Sequence, residues 1–151
     1  MTVSIYKNKI NQEILDLLFI ADPSQDSINE YLNDSIRFSY TENNVIAGFC
    51  VIQSSYNSAE IKNISVKKEF QNKGIGSKLI NFICEYCCNH NLVKLTVGTG
   101  NSSIRQLAFY QKHGFRIKNI IPDYFLRYPE PIYENNIQCL DMIILEKSIL
   151  E

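Results

Sequence analysis

Three extended segments follow one another along the middle of the chain, with no helical segment between them. Their sequences are SIRFSY, VIAGFCVIQ and AEIKNISV, and residues 42–44 between the first two, Glu-Asn-Asn, are typical of a hairpin turn. From residue 74 onward helical and extended patterns alternate, with predicted ranges of helix 74–89, strand 92–97, helix about 102–113, strand 115–121 and strand 137–145. This order predicts an α/β chain with a mixed, mostly antiparallel central sheet of about six or seven strands, flanked by helices on both faces.

The N-terminal region adds a strand and two helices to this prediction. TVSIY alternates as a strand does, and NQEILDLLFIA has apolar residues at helical spacing up to Asp22-Pro23. Ser24 or Asp26 is positioned to cap a second, short helix that runs to residue 32.

Length and charge limit the classes of function. With 151 residues the chain is expected to form a single domain, 1–151, that buries roughly two thirds of the surface of its unfolded state. A net charge of −1 argues against nucleic-acid binding by phosphate neutralisation. Because no apolar run reaches membrane-spanning length and the first residues lack a signal-peptide core, we expect a cytoplasmic protein with neither membrane nor nucleic acid as a partner.

Three of the five cysteines, Cys84, Cys87 and Cys88, lie close together in a predicted helix. Cys84 and Cys87 form a C-x-x-C pair, a spacing found in zinc and redox sites. The sequence offers no second ligand pair, and free cysteine packs as a small hydrophobic residue. We therefore expect cysteines that serve packing, and no metal site.

A polar turn rich in glycine, EFQNKGIGSKLI, joins the third extended segment to the helix predicted over 74–89. The first N–H groups of a helix have no partner inside it, and the helix dipole is positive at that end. Gly74 and Gly76 leave room for a bulky diphosphate, while Lys73 and Ser77 offer a charge and a hydroxyl. The turn therefore predicts an anion site, with a tight turn or close packing as the alternative role of its glycines.

A second glycine-rich stretch, LTVGTGNSS, competes for the same role. Gly98 and Gly100 follow a predicted strand, and Asp123 lies about 20 residues further on, as in a dinucleotide-binding fingerprint. Ser103 replaces the third glycine of that fingerprint, and the sequence after Asp123 is too short for the further parallel strands of such a fold. The first turn is the better candidate for an anion site.

Two motifs in a fixed order carry a family resemblance. Gln71-x-x-Gly74-x-Gly76 follows a predicted strand, and FYQKHGF, which contains Tyr110 and Gly114, closes a later helix. Together they resemble the GNAT superfamily of acyl-CoA-dependent N-acetyltransferases. The resemblance implies acetyl-CoA as the acyl donor, and direct transfer of acetyl to a primary amine of a small-molecule or protein acceptor in a ternary complex.

The resemblance also assigns roles along the turn and the strand before it. Backbone amides of the turn are implied to bind the coenzyme pyrophosphate, through Gln71, Asn72, Lys73, Gly74, Ile75, Gly76 and Ser77. Main-chain groups of the preceding strand are implied to pair with the pantetheine arm, through Ile64, Ser65 and Val66. A bulge would splay that strand from the strand over 92–97, and an N–H near Val66 would polarise the thioester carbonyl.

For catalysis the resemblance points to Tyr110, whose phenol would donate a proton or a hydrogen bond to the departing coenzyme A thiolate. Glu60, at the start of the third extended segment, is the best-placed general base, with an edge-strand charge as its alternative role. Many relatives have an asparagine near the coenzyme where this chain has Ser103. Here Ser103 and Gln106 form a capping-box pattern, and Asn101 is the alternative coenzyme contact.

The segment 122–136, PDYFLRYPEPIYENN, is long and aromatic, and it is the predicted acceptor site. Its candidate substrate-binding residues are Asp123, Tyr124, Arg127, Tyr128 and Glu134, with a solvated loop as the alternative. For the whole chain, the alternative is a catalytically silent acyl-CoA-binding regulatory module of the same fold. An exposed C-terminal edge strand would allow a homodimer.

Overall fold

Within residues 2–149, the computed structural model contains nine strands and four α-helices. The strands are β1 Thr2–Ile5, β2 Ile36–Glu42, β3 Val45–Ser55, β4 Ser58–Val66, β5 Lys94–Gly100, β6 Arg116–Ile121, β7 Tyr133–Glu134, β8 Ile137–Gln138 and β9 Met142–Ser148. The helices are α1 Gln12–Ala21, α2 Gln25–Leu32, α3 Ile75–Asn89 and α4 Ile104–Lys112. Short 3₁₀ segments cover Lys68–Phe70 and Tyr124–Arg127.

Seven of these strands form one sheet, in the order β1-β2-β3-β4-β5-β9-β6. Neighbouring strands are antiparallel except β4 and β5, which run parallel because α3 crosses over between them. β7 and β8 form a separate small hairpin. The predicted mixed, mostly antiparallel sheet is therefore confirmed.

Helices cover both faces of the sheet around β3. Phe49 and Val51 of this strand pack in one apolar cluster with α1 and α2, whereas Cys50 and Ile52 pack in another with α3. Successive side chains of a strand point to opposite faces, so a strand that is apolar nearly throughout belongs at a sheet centre with helices on both sides. The sequence of β3 is apolar nearly throughout because helices bury its side chains on both faces of the sheet.

Side-chain caps begin the first two helices. Asn11 Oδ1 accepts a hydrogen bond from the N–H of Ile14 at 3.0 Å, and Ser24 Oγ accepts one from the N–H of Ser27 at 3.2 Å. Of the two caps considered for α2, the structure uses Ser24. Asp26 lies in the first turn, where its charge is favourable to the helix dipole.

Strand β5 is longer than predicted. It continues to Gly100 because β9 pairs with it along its whole length, Gly98 opposite Ile144 and Gly100 opposite Met142. The glycine-rich stretch that resembles a dinucleotide-binding turn is therefore the end of a strand, and that alternative is wrong.

The predicted strand over 137–145 is divided between β8 and β9, which belong to different sheets. Asn101 Oδ1 accepts hydrogen bonds from the N–H groups of Leu140, at 2.8 Å, and Asp141, at 2.9 Å. Because these two N–H groups bond to a side chain, they take no part in a strand ladder, and the extended pattern breaks there. Alternation along 137–145 cannot predict this break, since its cause lies far away in the sequence.

Strand β4 contains the bulge that the family resemblance implies. Val51 pairs with Asn63 and Ile52 pairs with Ile61, which leaves Lys62 as the extra residue. Among the described residues, β4 pairs with β5 as far as Ile61 and no further. Beyond the bulge the two strands diverge, so the centre of the sheet is open.

Candidate active site

The divergence of β4 and β5 opens a cleft of about 720 Å³. Its walls come from β4, β5, the corner between α1 and α2, helix α4, and the segment between β6 and β9. A cleft of this volume is typical of a small-molecule site. Of the residues with a predicted function, those that line it are Glu60, Ile64, Ser103, Tyr110, Tyr124, Tyr128 and Glu134.

Tyr110 is buried, with 5% of its surface exposed, and it lies on the cleft wall. Its ring packs edge-on against those of Phe109 and Phe115, with centroid distances of 5.4 and 5.6 Å. Burial raises the pKa of the Tyr110 phenol well above its ordinary value. The hydroxyl therefore stays protonated at neutral pH and remains a hydrogen-bond donor.

Glu60 lines the cleft from β4, next to the bulge. Its Oε1 lies 3.1 Å from Lys62 Nζ, and both side chains are partly exposed. A partly exposed ion pair contributes little to the free energy of unfolding. The pair places the Glu60 carboxylate beside the Lys62 ammonium on the cleft wall.

The turn before α3 presents a row of main-chain N–H groups. Asn72 and Gly74 have positive φ angles of 63° and 82°, and the N–H of Lys78 donates to Gly74 O at 3.1 Å. Within residues 2–149, no protein group accepts a hydrogen bond from the N–H groups of residues 72–77. Unpaired N–H groups at the positive end of a helix dipole fit the charge of a diphosphate.

Two side chains brace this turn against neighbouring elements. Gln71 Nε2 donates to Val66 O at 3.0 Å, which ties the turn to the end of β4. Arg105 of α4 donates to Asn72 Oδ1 at 2.9 Å. The side chains of Gln71 and Asn72 therefore stabilise the shape of the turn, whereas the predicted contacts with coenzyme A are made by its backbone N–H groups.

The two glycines of the turn have different roles. At Gly74 no atom lies within 4 Å of the position that a Cβ would occupy, so the space is open to a ligand. At Gly76 a Cβ would lie 3.2 Å from Cζ of Phe109, so this glycine permits close packing of α3 against α4. Of the two glycines expected to make room for a diphosphate, Gly74 has open space beside it and Gly76 packs against Phe109.

The hydroxyl of Ser77 is oriented by a residue that sequence analysis missed. His113 Nε2 lies 2.9 Å from Ser77 Oγ, and its ring packs against that of Phe109 at 4.7 Å. Burial, with a smaller contribution from the charge of Lys147, lowers the pKa of His113. The imidazole is therefore mainly neutral at pH 7. The only feature of the sequence that could have drawn attention to His113 is its position in the motif FYQKHGF.

Ser103 begins α4, but its side chain makes no capping hydrogen bond. Its Oγ donates to Glu134 Oε1 at 2.7 Å, and Ser102 Oγ donates to the same atom at 3.4 Å. The capping box predicted for Ser103 and Gln106 is therefore wrong, because the Ser103 side chain bonds to Glu134 and its oxygen accepts no N–H of the first turn of α4.

Asn101 is held by the segment between β8 and β9. Its amide nitrogen donates a hydrogen bond to Gln138 O at 3.1 Å, and its amide oxygen accepts the hydrogen bonds from Leu140 and Asp141 described above. The role of coenzyme contact, predicted as an alternative for Asn101, finds no support in this geometry. Asn101 instead shapes the segment that forms one wall of the cleft.

The predicted acceptor residues are divided between the cleft and its outer side. Tyr124 and Tyr128 line the cleft, whereas Asp123 and Arg127 do not. The N–H of Asp123 donates to Asp141 Oδ1 at 2.9 Å, and the Arg127 guanidinium lies over the Tyr124 ring at 3.9 Å. Asp123 and Arg127 therefore support the segment from outside.

A buried hydrogen-bond network holds the splayed half of β4, and sequence analysis did not predict it. Asn63 Nδ2 donates to Leu18 O at 2.9 Å and to the Tyr31 hydroxyl at 3.0 Å. The Tyr31 hydroxyl donates to Asp22 Oδ2 at 3.2 Å, and Ser65 Oγ donates to Asn63 Oδ1 at 3.0 Å. These contacts attach β4 to α1 and α2 where β5 no longer supports it.

The cysteine-rich part of α3 forms no site in the structure. Cys87 is buried and Cys88 is exposed, and both are free thiols. Burial raises the pKa of Cys87 to about 11, which disfavours a reactive thiolate.

Among residues 2–149, no group of His, Cys, Asp and Glu side chains is arranged to hold a metal ion. In the same part of the chain, the helices are too short or too polar to cross a membrane.

Comparison with known proteins identifies relatives along nearly the whole chain. The family model of the acetyltransferase (GNAT) domain matches residues 33–117, more than half of the chain. The uncharacterised N-acetyltransferase YvbK of Bacillus subtilis (strain 168) is 43% identical over 137 residues, which cover 89% of this chain and 88% of the relative.

Two solved structures are similar in sequence and in fold. A GNAT family acetyltransferase from Elizabethkingia anophelis with acetyl-CoA bound is 42% identical, with a TM-score of 0.92 over 97% of both chains. A Bacillus subtilis acetyltransferase in complex with CoA is 40% identical, with a TM-score of 0.93 over 99% of both chains.

The unpaired N–H groups of residues 72–77 suit the diphosphate of such a ligand, and the free edge of β4 suits its amide-containing arm. Local geometry and whole-chain similarity thus agree. The chain belongs to the GNAT family and is an acetyltransferase that uses acetyl-CoA as its acyl donor.

Proposed function

We propose that the chain transfers acetyl from acetyl-CoA directly to a primary amine, with both substrates bound in one ternary complex. The observation that carries this proposal is that Tyr110 and Glu60 line one cleft, at the point where β4 and β5 separate. A donor for the departing sulfur and a base for the incoming amine thus share one surface.

Direct transfer agrees with the chemistry of the cleft wall. Cys139 is the cysteine that lines the cleft, it is buried, and its burial raises the pKa of its thiol. A thiol that stays protonated is a poor nucleophile, which disfavours an acetylated cysteine as an intermediate.

The coenzyme is held mainly by backbone in this proposal. The N–H groups of residues 72–77 bind its diphosphate, and Ile64, Ser65 and Val66 offer main-chain groups of the free β4 edge to its pantetheine arm. Lys73 and the Ser77 hydroxyl add a charge and a hydrogen bond. Acetyl-CoA supplies a thioester whose carbonyl carbon the amine attacks.

Tyr110 stabilises the leaving group. As the new C–N bond forms, the C–S bond breaks and its electron pair leaves on sulfur as a thiolate. Because its pKa is raised, the Tyr110 phenol donates a hydrogen bond to that sulfur and keeps its proton. The nitrogen becomes positively charged as it attacks and loses a second proton to solvent, which gives the neutral amide, and the thiolate takes up a proton from solvent.

Glu60 prepares the nucleophile. An alkyl ammonium has a pKa of about 10, so at neutral pH the acceptor must lose a proton before its nitrogen can attack. The Glu60 carboxylate accepts this proton, directly or through a water molecule, and passes it to solvent.

Replacement of Tyr110 by phenylalanine tests the proposal, because it removes one oxygen and leaves the ring packing in place. We expect kcat for acetyl-CoA-dependent thiol release with a panel of primary amines to fall roughly 10²-fold, the usual contribution of such a group. The dissociation constant for acetyl-CoA, measured by calorimetry, should change less than about twofold, because a phenol that acts on the leaving sulfur contributes mainly to the transition state.

Tyr86→Phe is the matched control, since Tyr86 is a partly buried tyrosine on α3 that does not line the cleft. We expect this variant to have the kcat of the parent. Full activity in Tyr110→Phe would show that Tyr110 has no catalytic role, and no thiol release from the parent with any amine would refute the proposed reaction.

A further inference from the structure

The walls of the cleft between β4 and β5 carry more acidic than basic side chains. Four carboxylates line it, those of Asp22, Glu30, Glu60 and Glu134, and among the described lining residues Lys62 is the one with a basic side chain. Lys62 pairs with Glu60. The other three carboxylates have no basic side chain within 4.0 Å in the part of the chain that the structure describes.

Two of these carboxylates are held in place by uncharged donors. Glu134 Oε1 accepts hydrogen bonds from the hydroxyls of Ser103 and Ser102, and Asp22 Oδ2 accepts one from Tyr31. Such donors orient a carboxylate without neutralising its charge. Each carboxylate has about four lone-pair sites, so acceptor capacity remains for a ligand.

Aromatic rings line the same cleft as these carboxylates. They belong to Phe19, Tyr31, Tyr110, Tyr124, Phe125 and Tyr128. Tyr128 lies near Asp22, whose charge adds to burial in raising the pKa of the Tyr128 phenol. Carboxylates combined with aromatic faces attract ammonium groups.

The charge of the reacting nitrogen does not account for this lining. That nitrogen gives up a proton to Glu60 and attacks as a free base, and the positive charge that develops on it during attack lies at the reacting centre, beside Glu60. A single reacting nitrogen therefore leaves the carboxylates of Asp22, Glu30 and Glu134 without a positive partner. A second cationic group on the acceptor restores the balance.

We infer that the acceptor is a diamine or polyamine, one nitrogen of which receives acetyl while a second, still protonated, is bound among Asp22, Glu30, Glu134 and the aromatic rings. This inference rests on the proposed amine acetylation and specifies its substrate class. The three acidic side chains belong to the residue that follows α1, to α2 and to β7, whereas Glu60 belongs to β4.

Three amines with the same five-carbon chain test the inference. They are 1,5-diaminopentane, with a cationic tail, n-pentylamine, with an uncharged tail, and 5-aminopentanoate, with an anionic tail. With saturating acetyl-CoA we expect kcat/KM for thiol release to be at least about 10-fold higher for the diamine than for pentylamine, and lowest for the anionic amine. Raising the salt concentration should reduce the advantage of the diamine, because the cleft is open to solvent.

Charge-removing variants locate the effect. Glu134→Gln and Glu30→Gln should each lower the ratio of kcat/KM for the diamine to kcat/KM for pentylamine about two- to fivefold, the range for a partly exposed ion pair. Glu85→Gln is the control, because Glu85 is an exposed glutamate on α3 outside the cleft. We expect no change of the ratio in this variant.

Calorimetric binding of the diamine and pentylamine to the CoA-loaded protein separates this inference from the proposed reaction. Tighter binding of the diamine without turnover of any amine would support the cation site and refute the acetyl transfer. Turnover with equal kcat/KM for the diamine and pentylamine would overturn the inference and leave the transfer intact. Equal binding without turnover would overturn both.

Discussion

The glycine-rich turn and the cleft between β4 and β5 offer different kinds of groups to their proposed ligands. The turn is one contiguous segment, and what it offers is main-chain N–H groups of residues 72–77. The cleft combines side chains from distant parts of the chain, among them Glu60 on β4, Tyr110 on α4 and Glu134 on β7. One site depends on backbone conformation, and the other depends on side-chain identity.

This difference determines how each site responds to change. A backbone site tolerates most substitutions except at positions such as Gly74, where φ is positive and space must stay open. A side-chain site keeps its shape after a substitution but changes its chemistry. We therefore expect a large side chain in the turn to weaken coenzyme binding. We expect isosteric substitutions in the cleft to reduce catalysis or change selectivity.

The largest effect is expected for Gly74→Trp. The indole would occupy the open space beside the N–H groups, so we expect the affinity for acetyl-CoA, measured by calorimetry, to fall at least about 100-fold. A Cβ at positive φ also destabilises the fold by roughly 1–2 kcal/mol, which thermal unfolding will show.

Gly114→Trp is the matched control, because Gly114 also has a positive φ, 87°, but follows α4 outside the turn. It should be destabilised in a similar way and still bind acetyl-CoA. Micromolar binding by folded Gly74→Trp would disprove the assignment of the turn as the diphosphate site.

An intermediate effect is expected for Glu60→Gln. The amide cannot accept the ammonium proton, so kcat/KM for the amine should fall roughly 10- to 100-fold at pH 7 while acetyl-CoA binding is retained. The deficit should shrink as the pH approaches about 10, where the amine is already a free base. Glu146→Gln removes an ion-paired glutamate of β9 outside the cleft and should behave like the parent. A deficit in Glu60→Gln that is the same at every pH would argue against a role as a base.

The smallest effect is expected at His113, which orients Ser77 in the turn. Its pKa is lowered in the folded state, so its neutral form contributes stability above the ordinary pKa of 6.5, and this contribution is lost as the pH falls through the lowered value. Between pH 7.5 and 5.5 the Tm of the parent should therefore fall more than that of His113→Gln, by on the order of 1 °C. His90→Gln replaces the exposed histidine at the end of α3 and is the control for a histidine-to-glutamine change elsewhere in the chain. An identical pH dependence in the parent and His113→Gln would contradict the effect.

Much of the fold could be predicted because its signals are local. The helical spacing of NQEILDLLFIA and the alternation in AEIKNISV gave α1 and β4, and Ser24 gave the start of α2. Errors arose where a distant partner decides the outcome. β5 extends through two glycines because β9 lies beside it, and the segment 137–145 breaks because Asn101 takes its N–H groups.

The candidate site follows the same division. Candidate roles for residues near a motif, Tyr110 and Gly74 among them, could be predicted from the two family motifs. The contacts of Asp22, Tyr31 and Asn63 could not, because they are hydrogen bonds between the end of α1, helix α2 and strand β4. Nothing in FYQKHGF shows that its histidine bonds to Ser77 on another helix.

The sequence by itself determined the order of the elements and the turn of unpaired N–H groups, because periodicity and glycine placement act between neighbouring residues, and the family resemblance of two motifs pointed to Tyr110. Only the tertiary structure decided which acidic and aromatic side chains share the cleft, which of the two glycines stays open, and that Ser103 bonds to Glu134 in place of its own helix. These outcomes depend on contacts between segments far apart in the chain, where packing against the sheet sets the distances and no local pattern records them.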